Sequence, residues 1–451
     1  MQTTNTTYNY LKFVDFAQLT SWSSYALLGK NLIYNQKYTF VRIGDFLKRN
    51  KEQVSVQDEV LYKRPTIRIN GQGISLRDEE VGKNIGTKNQ FRIHTGQFLL
   101  SKIDARNGAF GVVPEELENG IITGNFWTFD VDYTLINPHY LALLTGTKEF
   151  QKLCQTASVG TTNRNYLQED LFINFQIPLP SLIEQEALVK NYFAKIAEAE
   201  NLNKQASDLE SEIERYFLEQ LGLKPFSLKQ RTYGLHIVDY ADLDRWDYFS
   251  SDNSINASLK KSIFPLSTIG QSFDFAKRTF NKSTYQNPTF KYIEIGAIDP
   301  IKGILEAKEI ATEKAPSRAT QFVKEGDLII GTTRPYLKKF AIVTSQYDNN
   351  VCSSGFSIIA SSENYHLPFL LQFLNCTYGV EQLKNRMTGG LYPAITEAEL
   401  KEIKIPFPNV EKQIEIMKLI EKKKEDILNN KSRIVSIKQE AEQEFELAIF
   451  N

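Results

Sequence analysis

The sequence predicts an α+β protein with two tandem globular domains of mixed α/β structure, separated by two long helices packed as an antiparallel coiled coil. Three observations lead to this pseudo-two-fold symmetric fold class. A long run without proline or glycine follows Pro180, a second such run closes the sequence, and four blocks of the first half recur in order in the second. At 451 residues the chain is also too long for one hydrophobic core.

The first long helix is predicted from its start and stop signals. The prolines of IPLP forbid a helix before Ser181. Ser181 and Glu184 have the spacing of a capping box, in which each side chain binds a free backbone N–H of the first turn. Gly222 is a typical left-handed stop. The helix between them has about 40 residues, roughly 60 Å, and needs another rod to pack against.

The second rod is predicted at the C-terminus. The segment IPFPNVEKQIEIM repeats IPLPSLIEQEALV 228 positions later, with Asn409 in place of Ser181 and Gln413 in place of Gln185. Apolar residues then recur at seven-residue spacing, which indicates a coiled-coil seam rather than two unrelated surface helices. The seam residues are Ile420, Ile427, Ile434, Ala441 and Ala448 in one helix and Tyr192, Ala199, Ala206 and Ile213 in the other, with Leu202, Leu209 and Tyr216 beside them.

The globular parts also repeat. Trp22 matches Trp246, Ile43-Gly44 matches Ile269-Gly270, and residues 160–180 match 389–408. In the longest block, Gln90, Phe91, Gly96, Arg106 and Phe110 align with Gln321, Phe322, Gly326, Arg334 and Phe340. We therefore predict a first domain over 1–180, a central helical spacer over 181–222, a second domain over 223–408 and a C-terminal helical spacer over 409–451.

Short strands dominate the predicted domains. The runs FLLSKI, GVV, FWTFDV, DLIIGT, FAIVTS and FSIIAS are rich in β-branched and aromatic residues and are bounded by Gly, Asn and Asp. Tyr140–Leu153 and His366–Leu374 have the apolar periodicity of helices.

Composition narrows the class of protein. Hydrophobic residues make up 41% and charged residues 24% of the chain, as in soluble globular proteins. We see no signal peptide and no apolar run long enough to cross a membrane. Three widely spaced cysteines predict a reducing, cytoplasmic setting without disulfides or a zinc site. A net charge of −1 argues against bulk attraction to polyanions but not against local basic loops.

Two unlike domains held at a set separation are suited to reading double-stranded DNA. Symmetric DNA readers bind half-sites at a fixed spacing along the duplex. Because the two domains differ in sequence, the predicted target is bipartite and asymmetric, with an unread spacer between its halves. At 1.5 Å per helical residue and 3.4 Å per base step, about two helical residues correspond to one base pair.

The candidate DNA-binding residues lie in polar, glycine-flanked turns of both domains. Arg and Asn can bond guanine and adenine edges in pairs, and Thr hydroxyls and backbone N–H groups suit phosphates. A solvated loop or a structural ion pair is the alternative for each residue. The candidates are Lys102, Arg106, Asn107, Thr161, Thr162, Asn163 and Arg164 in the first domain and Thr332, Thr333, Arg334, Tyr336, Lys338, Lys339, Arg386, Thr388 and Tyr392 in the second.

The long helices are expected to offer apolar surface to partner helices. The candidate partner-binding residues are Phe193, Ile196, Phe217, Ile420 and Ile427.

Enzymatic interpretations are weaker. Asn137-Pro138-His139-Tyr140 resembles the Asn-Pro-Pro-Tyr motif of amino-methyltransferases but lacks the second proline, and a helix-start turn is the simpler reading. No glycine-rich cofactor loop follows a strand, and we find no catalytic or metal-binding constellation. A stand-alone DNA methyltransferase and a coiled-coil adaptor that does not bind DNA remain the alternatives.

The motifs together resemble the specificity subunit of Type I restriction–modification enzymes. The resemblance covers nearly the whole chain, and the paired helix starts IPLPSLIEQ and IPFPNVEKQ and the blocks SKIDARNGAFGVVP and RPYLKKFAIV carry it. It implies a non-catalytic DNA-recognition subunit of a restriction system, in which the two globular domains are target-recognition domains and each reads one half of a split target. It further implies docking of methyltransferase subunits, typically two, and of a translocating restriction subunit. S-adenosylmethionine, ATP and Mg²⁺ would then bind to those partners, with no cofactor or metal on this chain.

Overall fold

The computed structural model describes residues 34–159, 166–225 and 251–450. The described residues fall into two compact units. Unit 1 comprises Met1–Ala199 together with Val435–Asn451, and unit 2 comprises Glu200–Ile434. The predicted match of Trp22 with Trp246 lies outside the described residues.

Unit 1 contains short, antiparallel strands. The strands are β1 Thr39–Arg42, β2 Leu47–Asn50, β3 Gln53–Ser55, β4 Leu61–Ile67, β5 Ile74–Val81, β6 Asn89–Arg92, β7 Phe98–Ser101, β8 Phe110–Val112, β9 Ile121–Ile122, β10 Phe126–Val131, β11 Ser158–Val159, β12 Tyr166–Leu167 and β13 Gln176–Leu179. They form a four-stranded sheet in the order β2-β10-β7-β8, a three-stranded sheet in the order β3-β6-β9, and the pairs β1-β13, β4-β5 and β11-β12.

The helices that begin in the described part of unit 1 are α1 Pro138–Gly146, α2 Lys148–Thr156, α3 Glu169–Ile173 and the long α4 Leu182–Gln220. The single helix predicted over Tyr140–Leu153 is wrong, because the chain breaks at Thr147. The Thr147 hydroxyl accepts a hydrogen bond from the backbone N–H of Phe150 at 3.3 Å and so caps a new helix. The predicted strands FLLSKI, GVV and FWTFDV are confirmed as β7, β8 and β10.

Unit 2 repeats this mixture of short strands and helices. The strands are β14 Leu266–Thr268, β15 Thr289–Ile293, β16 Ile298–Asp299, β17 Gly303–Ile304, β18 Lys308–Ala311, β19 Ala319–Phe322, β20 Leu328–Gly331, β21 Phe340–Ile342, β22 Val351–Ser353, β23 Phe356–Ile359 and β24 Lys404–Pro406. They form a four-stranded sheet in the order β18-β15-β22-β19, a three-stranded sheet in the order β21-β20-β23, and the pairs β14-β24 and β16-β17. Strands β20, β21 and β23 confirm the runs predicted from the sequence.

The helices of unit 2 are α5 Ser251–Leu259, α6 Ile269–Ser272, α7 Leu367–Asn375, α8 Thr377–Asn385 and α9 Glu397–Lys401, followed by the long α10 Val410–Ile449. The predicted helix over His366–Leu374 is confirmed as α7, with His366 as its N-cap. The fold class predicted from the sequence is therefore confirmed, with mixed α/β units and two long helices.

Two glycines show that the repeat extends to the backbone conformation. Gly96 and Gly326 have φ values of +83° and +81°, a region that residues with a Cβ rarely adopt. Each N–H donates across the adjoining turn, from Gly96 to Val113 O at 2.9 Å and from Gly326 to Val343 O at 2.8 Å. The alignment of these two positions is confirmed.

The start of helix α4 has the predicted capping box. The backbone N–H of Glu184 donates to the Ser181 hydroxyl at 3.3 Å, and the Glu184 carboxylate accepts from the Ser181 N–H at 3.0 Å. Helix α10 starts with a similar cap, in which the Asn409 side chain accepts from the N–H of Lys412 at 3.0 Å. Gly222 adopts a φ of +71° just after α4, as predicted.

Within unit 1, the first half of α4 packs against the last turns of α10. Lys195 forms ion pairs with Glu444 at 2.7 Å and Glu440 at 3.6 Å. The Tyr140 ring of α1 lies 5.9 Å from the Phe445 ring of α10. These contacts attach both long helices to the first globular core.

Within unit 2, the second half of α4 packs against the first half of α10. Lys431 pairs with Glu210 at 2.9 Å, and Lys423 pairs with Glu212 at 2.6 Å. The partner on α10 moves toward its N-terminus as α4 advances, so the helices run antiparallel. Predicted seam residues Ala206, Ile213, Ile420 and Ile427 are buried there.

Candidate nucleic-acid interface

In unit 1, the turn after β7 lies beside the β11–β12 hairpin. The N–H of Leu167 in β12 donates to the backbone oxygen of Lys102 at 2.9 Å. The Lys102 ammonium lies 5.7 Å from the centre of the Tyr166 ring. The predicted block around Lys102 therefore adjoins the strands that flank the second predicted block.

Four predicted residues of that second block, Thr161, Thr162, Asn163 and Arg164, lie outside the described residues. They connect β11 to β12 in sequence. Their expected role in DNA binding stays a prediction.

Arg106 and Asn107 belong to a short 3-10 turn, Ala105–Asn107, and both are half-buried. The Asn107 amide nitrogen donates to Asp104 Oδ1 at 3.3 Å. The Asn107 backbone oxygen accepts from the N–H of Asn70, at the tip of the β4–β5 hairpin, at 2.7 Å. This places the hairpin tip beside the predicted recognition turn, an association that sequence reasoning missed because no local signal links the two segments.

In unit 2, two predicted blocks come together in the same way. The N–H of Ile395 donates to the backbone oxygen of Thr332 at 2.9 Å, and the N–H of Arg334 donates to Pro393 O at 2.8 Å. We call residues 332–339 and 387–396 the unit-2 loop pair. Thr332 directly follows β20 as Lys102 directly follows β7. In both units, therefore, the backbone oxygen of the residue after the strand accepts a hydrogen bond from the second predicted block or the strand that follows it. We call this common arrangement the shared backbone frame.

Arg334 links the two segments of the unit-2 loop pair by hydrogen bonds. Its backbone is left-handed, with a φ of +48°, and its Nη2 donates to the backbone oxygen of Leu391 at 3.2 Å. The guanidinium carbon lies 5.5 Å from the centre of the Tyr392 ring. Its Nε is buried without a hydrogen-bond partner in the described part of the chain.

The predicted equivalence of Arg106 and Arg334 is wrong. Arg106 is the middle residue of the turn Ala105–Asn107, whereas Arg334 is the N-cap of the corresponding turn, Pro335–Leu337. When β7 and β8 are aligned with β20 and β21, Arg334 corresponds to Asp104, and Tyr336 corresponds to Arg106. The sequence alignment of the two arginines is therefore out of register by two residues.

The lysines of the unit-2 loop pair bind neutral acceptors. The Lys338 ammonium donates to Asn375 O at 2.7 Å, and that of Lys339 donates to Ile298 O at 2.5 Å. The loop pair has no acidic residue in its sequence. Among the described residues, Arg334, Lys338 and Lys339 form no ion pair. Asp299 interacts with Lys339 electrostatically, and Lys338 lines a cleft together with Glu210 and Glu214, so Arg334 is the cation of the loop pair with no carboxylate placed beside it in this part of the chain.

Arg386 is placed differently from the prediction. It is buried and forms an ion pair with Glu399 at 3.0 Å, so its guanidinium holds α8 and α9 together instead of facing a ligand. The other predicted residues of unit 2 remain at or near the surface: Thr333, Tyr336 and Lys339 are half-buried, and Thr388 and Tyr392 are exposed.

The predicted partner-binding residues divide into two groups. Phe193 is 44% exposed, with His139 against its ring at 5.7 Å, and Ile196 is half-buried. Phe217, Ile420 and Ile427 are buried in the core of unit 2. The expectation that these three present apolar surface to another chain is wrong, because they face the domain that their own helices support.

Asn137 has the role of a helix start. Its side-chain oxygen accepts from the N–H of His139 at 2.9 Å and caps α1. The described residues contain no group of three or more His, Cys, Asp or Glu side chains that could hold a metal ion. In the same part of the chain, no helix has the length and apolar character needed to span a membrane.

Comparison with known proteins assigns the family. The model of the Type I restriction modification DNA specificity domain matches residues 35–208 and 261–439. The Type I restriction enzyme HindI specificity subunit of Haemophilus influenzae is 28% identical over 147 residues, which span 32% of this chain and 31% of that protein.

One solved structure shows a similar fold. A chain from a structure on the complex assembly and conformational transition of the type I R-M system has a TM-score of 0.57 at 15% identity, covering 92% of this chain and 98% of that one. The Type-I restriction-modification system S subunit from M. genitalium has a TM-score of 0.48 at 14% identity, covering 94% and 98%. The family match extends over more than half of the sequence and occurs once in each repeat. The chain therefore belongs to the family of Type I restriction modification DNA specificity domains.

Proposed function

We propose that this chain reads a bipartite, asymmetric DNA target, with one half bound by each unit. The observation that carries this proposal is the shared backbone frame of the two candidate surfaces. Lys102 O accepts from Leu167 N–H in unit 1, and Thr332 O accepts from Ile395 N–H in unit 2, both at 2.9 Å. The same frame with different side chains is what the recognition of two unlike half-sites requires.

The charge of the unit-2 loop pair supports DNA as its ligand. Arg334, Lys338 and Lys339 lie in a segment without carboxylates, and their hydrogen-bond acceptors are backbone oxygens. Phosphate contacts made by such cations supply much of the affinity for DNA and make it depend on salt.

The chain would act as the specificity subunit of a larger assembly. In this proposal it docks methyltransferase subunits, expected to be two, and a translocating restriction subunit. Phe193 and Ile196 are the remaining candidates for contact with those partners. Catalysis, S-adenosylmethionine, ATP and Mg²⁺ are assigned to the partner subunits, and the complex is expected to work in the cytoplasm, where it meets DNA.

The two alternatives fit less well. A stand-alone methyltransferase would need Asn137 to hold a target amine, whereas its side-chain oxygen is engaged as a helix cap. A coiled-coil adaptor that does not bind DNA would not explain why the three cations of the unit-2 loop pair form hydrogen bonds to backbone oxygens and no ion pair among the described residues.

The test is methylation by a reconstituted complex. The chain is co-expressed with methyltransferase subunits of a Type I restriction–modification system from the same genome, and transfer of labelled methyl groups to genomic DNA is measured. We expect transfer by the complex and none by the methyltransferase subunits alone. Equal transfer with and without the chain would contradict the proposal.

A further inference from the structure

Leu391 and Tyr392 are two adjacent apolar residues that are exposed in a predicted recognition block of unit 2. Leu391 is 85% exposed and Tyr392 is 75% exposed. Single exposed apolar residues are common on protein surfaces. Two adjacent large apolar side chains at the tip of a loop call for an explanation. Of the two, only Tyr392 is among the candidates that the sequence predicts.

The loop beneath the pair is held in place by hydrogen bonds. Thr388 and Ala394 exchange two backbone hydrogen bonds, each 2.9 Å long, which close residues 388–394 into a small loop. Arg334 adds two more, from its N–H to Pro393 O and from its Nη2 to Leu391 O. The exposed side chains therefore project from an ordered base.

The surroundings of the tip favour a polyanion. The unit-2 loop pair carries three cations and no acidic residue, although the whole chain has a net charge of −1. An apolar tip beside the Arg334 guanidinium, which forms no ion pair among the described residues, matches a duplex, whose phosphates attract cations while its base edges and faces accept apolar side chains.

We propose that Leu391 and Tyr392 contact bases of the half-target read by unit 2, and that Arg334 is a positioning residue that holds them there. This inference rests on the proposed function. Leucine and the tyrosine ring would make apolar contact with a thymine methyl group or a base face. Arg334 would act through its bonds to the tip instead of reading a base edge itself.

The experiment selects bound sequences from a pool of random duplex DNA. The full-length chain, co-purified with its methyltransferase subunits, is compared with the double variant Leu391→Ala/Tyr392→Ala. We expect the double variant to lose base preference in one half of the selected motif only. Its affinity for the selected wild-type duplex should fall about tenfold, with the salt dependence of binding unchanged, because apolar contacts release no counterions.

Three further variants separate positioning from general damage. Tyr392→Phe should retain the wild-type motif, because the ring is kept. Arg334→Lys keeps the charge but loses the planar group over the Tyr392 ring, so it should weaken the same half of the motif as the double variant. Leu305→Ala removes another apolar side chain of unit 2, 53% exposed, and should have no effect.

Two results would overturn the inference. One is selection of the unchanged motif at wild-type affinity by the double variant. The other is an unchanged motif together with loss of the co-purifying methyltransferase subunits, which would make the tip a protein-docking site. Failure of the proposed function is distinct, since the wild-type complex itself would then select no motif.

Discussion

The side-chain oxygen of Gln185 accepts a hydrogen bond from the backbone N–H of Asn137 at 2.8 Å. The amide nitrogen of the same fully buried glutamine donates to Pro180 O at 2.9 Å and to Leu135 O at 3.1 Å. One side chain thus ties the start of α4 to the start of α1. In unit 2, Gln413 binds the N–H of His366 and Pro408 O, both at 2.8 Å.

Replacement of Gln185 by leucine is expected to lower the free energy of unfolding by about 2–4 kcal/mol. Leucine fills similar volume but leaves the backbone groups of Asn137, Leu135 and Pro180 without this partner in a buried site, and each such loss costs about 1–3 kcal/mol. Denaturant unfolding of the purified chain measures the effect. Gln205→Leu, on the exposed face of α4, is the matched control, and an equal loss in both variants would contradict the assigned role.

Arg386→Met should destabilise unit 2 while leaving DNA selection in place. The substitution removes the cation beside Glu399 in a largely buried ion pair, which should cost about 1–3 kcal/mol. Thermal unfolding measures the loss, and selection from random duplexes measures recognition. A variant that keeps its stability but loses base preference would show that Arg386 acts in recognition and not in holding α8 to α9.

Lys424 provides a test through pH. It lines a cleft of about 660 Å³ in unit 2, with Glu210, Glu214 and Lys338 also on its walls. Burial lowers the pKa of Lys424 to about 8, and nearby Glu421 opposes the shift only in part. Below pH 8 the folded protein bears the full cost of holding this charge, and between pH 8 and about 10.5 the unfolded chain binds the extra proton, so stability rises with pH.

Lys424→Met should therefore stabilise the protein at pH 7 by about 1–3 kcal/mol. Its advantage over wild type should shrink as the pH rises from 8 to 10. Unfolding by denaturant across this range measures the difference, with Lys422→Met on the exposed face of α10 as control. An advantage that does not change with pH would show that the ammonium is already well solvated.

Local signals predicted the features that depend on neighbours in sequence. Ser181 and Glu184 lie three residues apart, and their reciprocal hydrogen bonds follow from that spacing. The alignment of Gly96 with Gly326 in the repeated block likewise agrees with the left-handed backbone of both residues. The strands β7 and β20 likewise follow from their runs of apolar and β-branched residues.

The errors concern contacts between residues far apart in sequence. Nothing near Arg386 indicates that Glu399 will neutralise it. Phe217 looks like an exposed helix position until its ring is found 5.4 Å from that of Phe369. Arg106 and Arg334 were matched by residue type, and only the flanking strands reveal the two-residue shift.

The length of the helical spacer gives a prediction about the target. Insertion of one heptad between Lys195 and Glu210 is expected to lengthen the unread gap of the methylated motif or to abolish methylation, because about two helical residues correspond to one base pair. An insertion of the same length between Gly86 and Thr87, in the exposed loop between β5 and β6, should leave the gap unchanged. Methylation at the original spacing by the helix variant would contradict the idea that the spacer sets the gap.

The most direct test of the account is the methylome of a host that expresses the wild-type chain with its methyltransferase subunits, read by single-molecule sequencing and compared with the same host lacking the chain. The account predicts a motif that appears only when the chain is present and that consists of two unlike parts separated by a fixed unread gap. A contiguous motif, or the same methylome in both hosts, would contradict it.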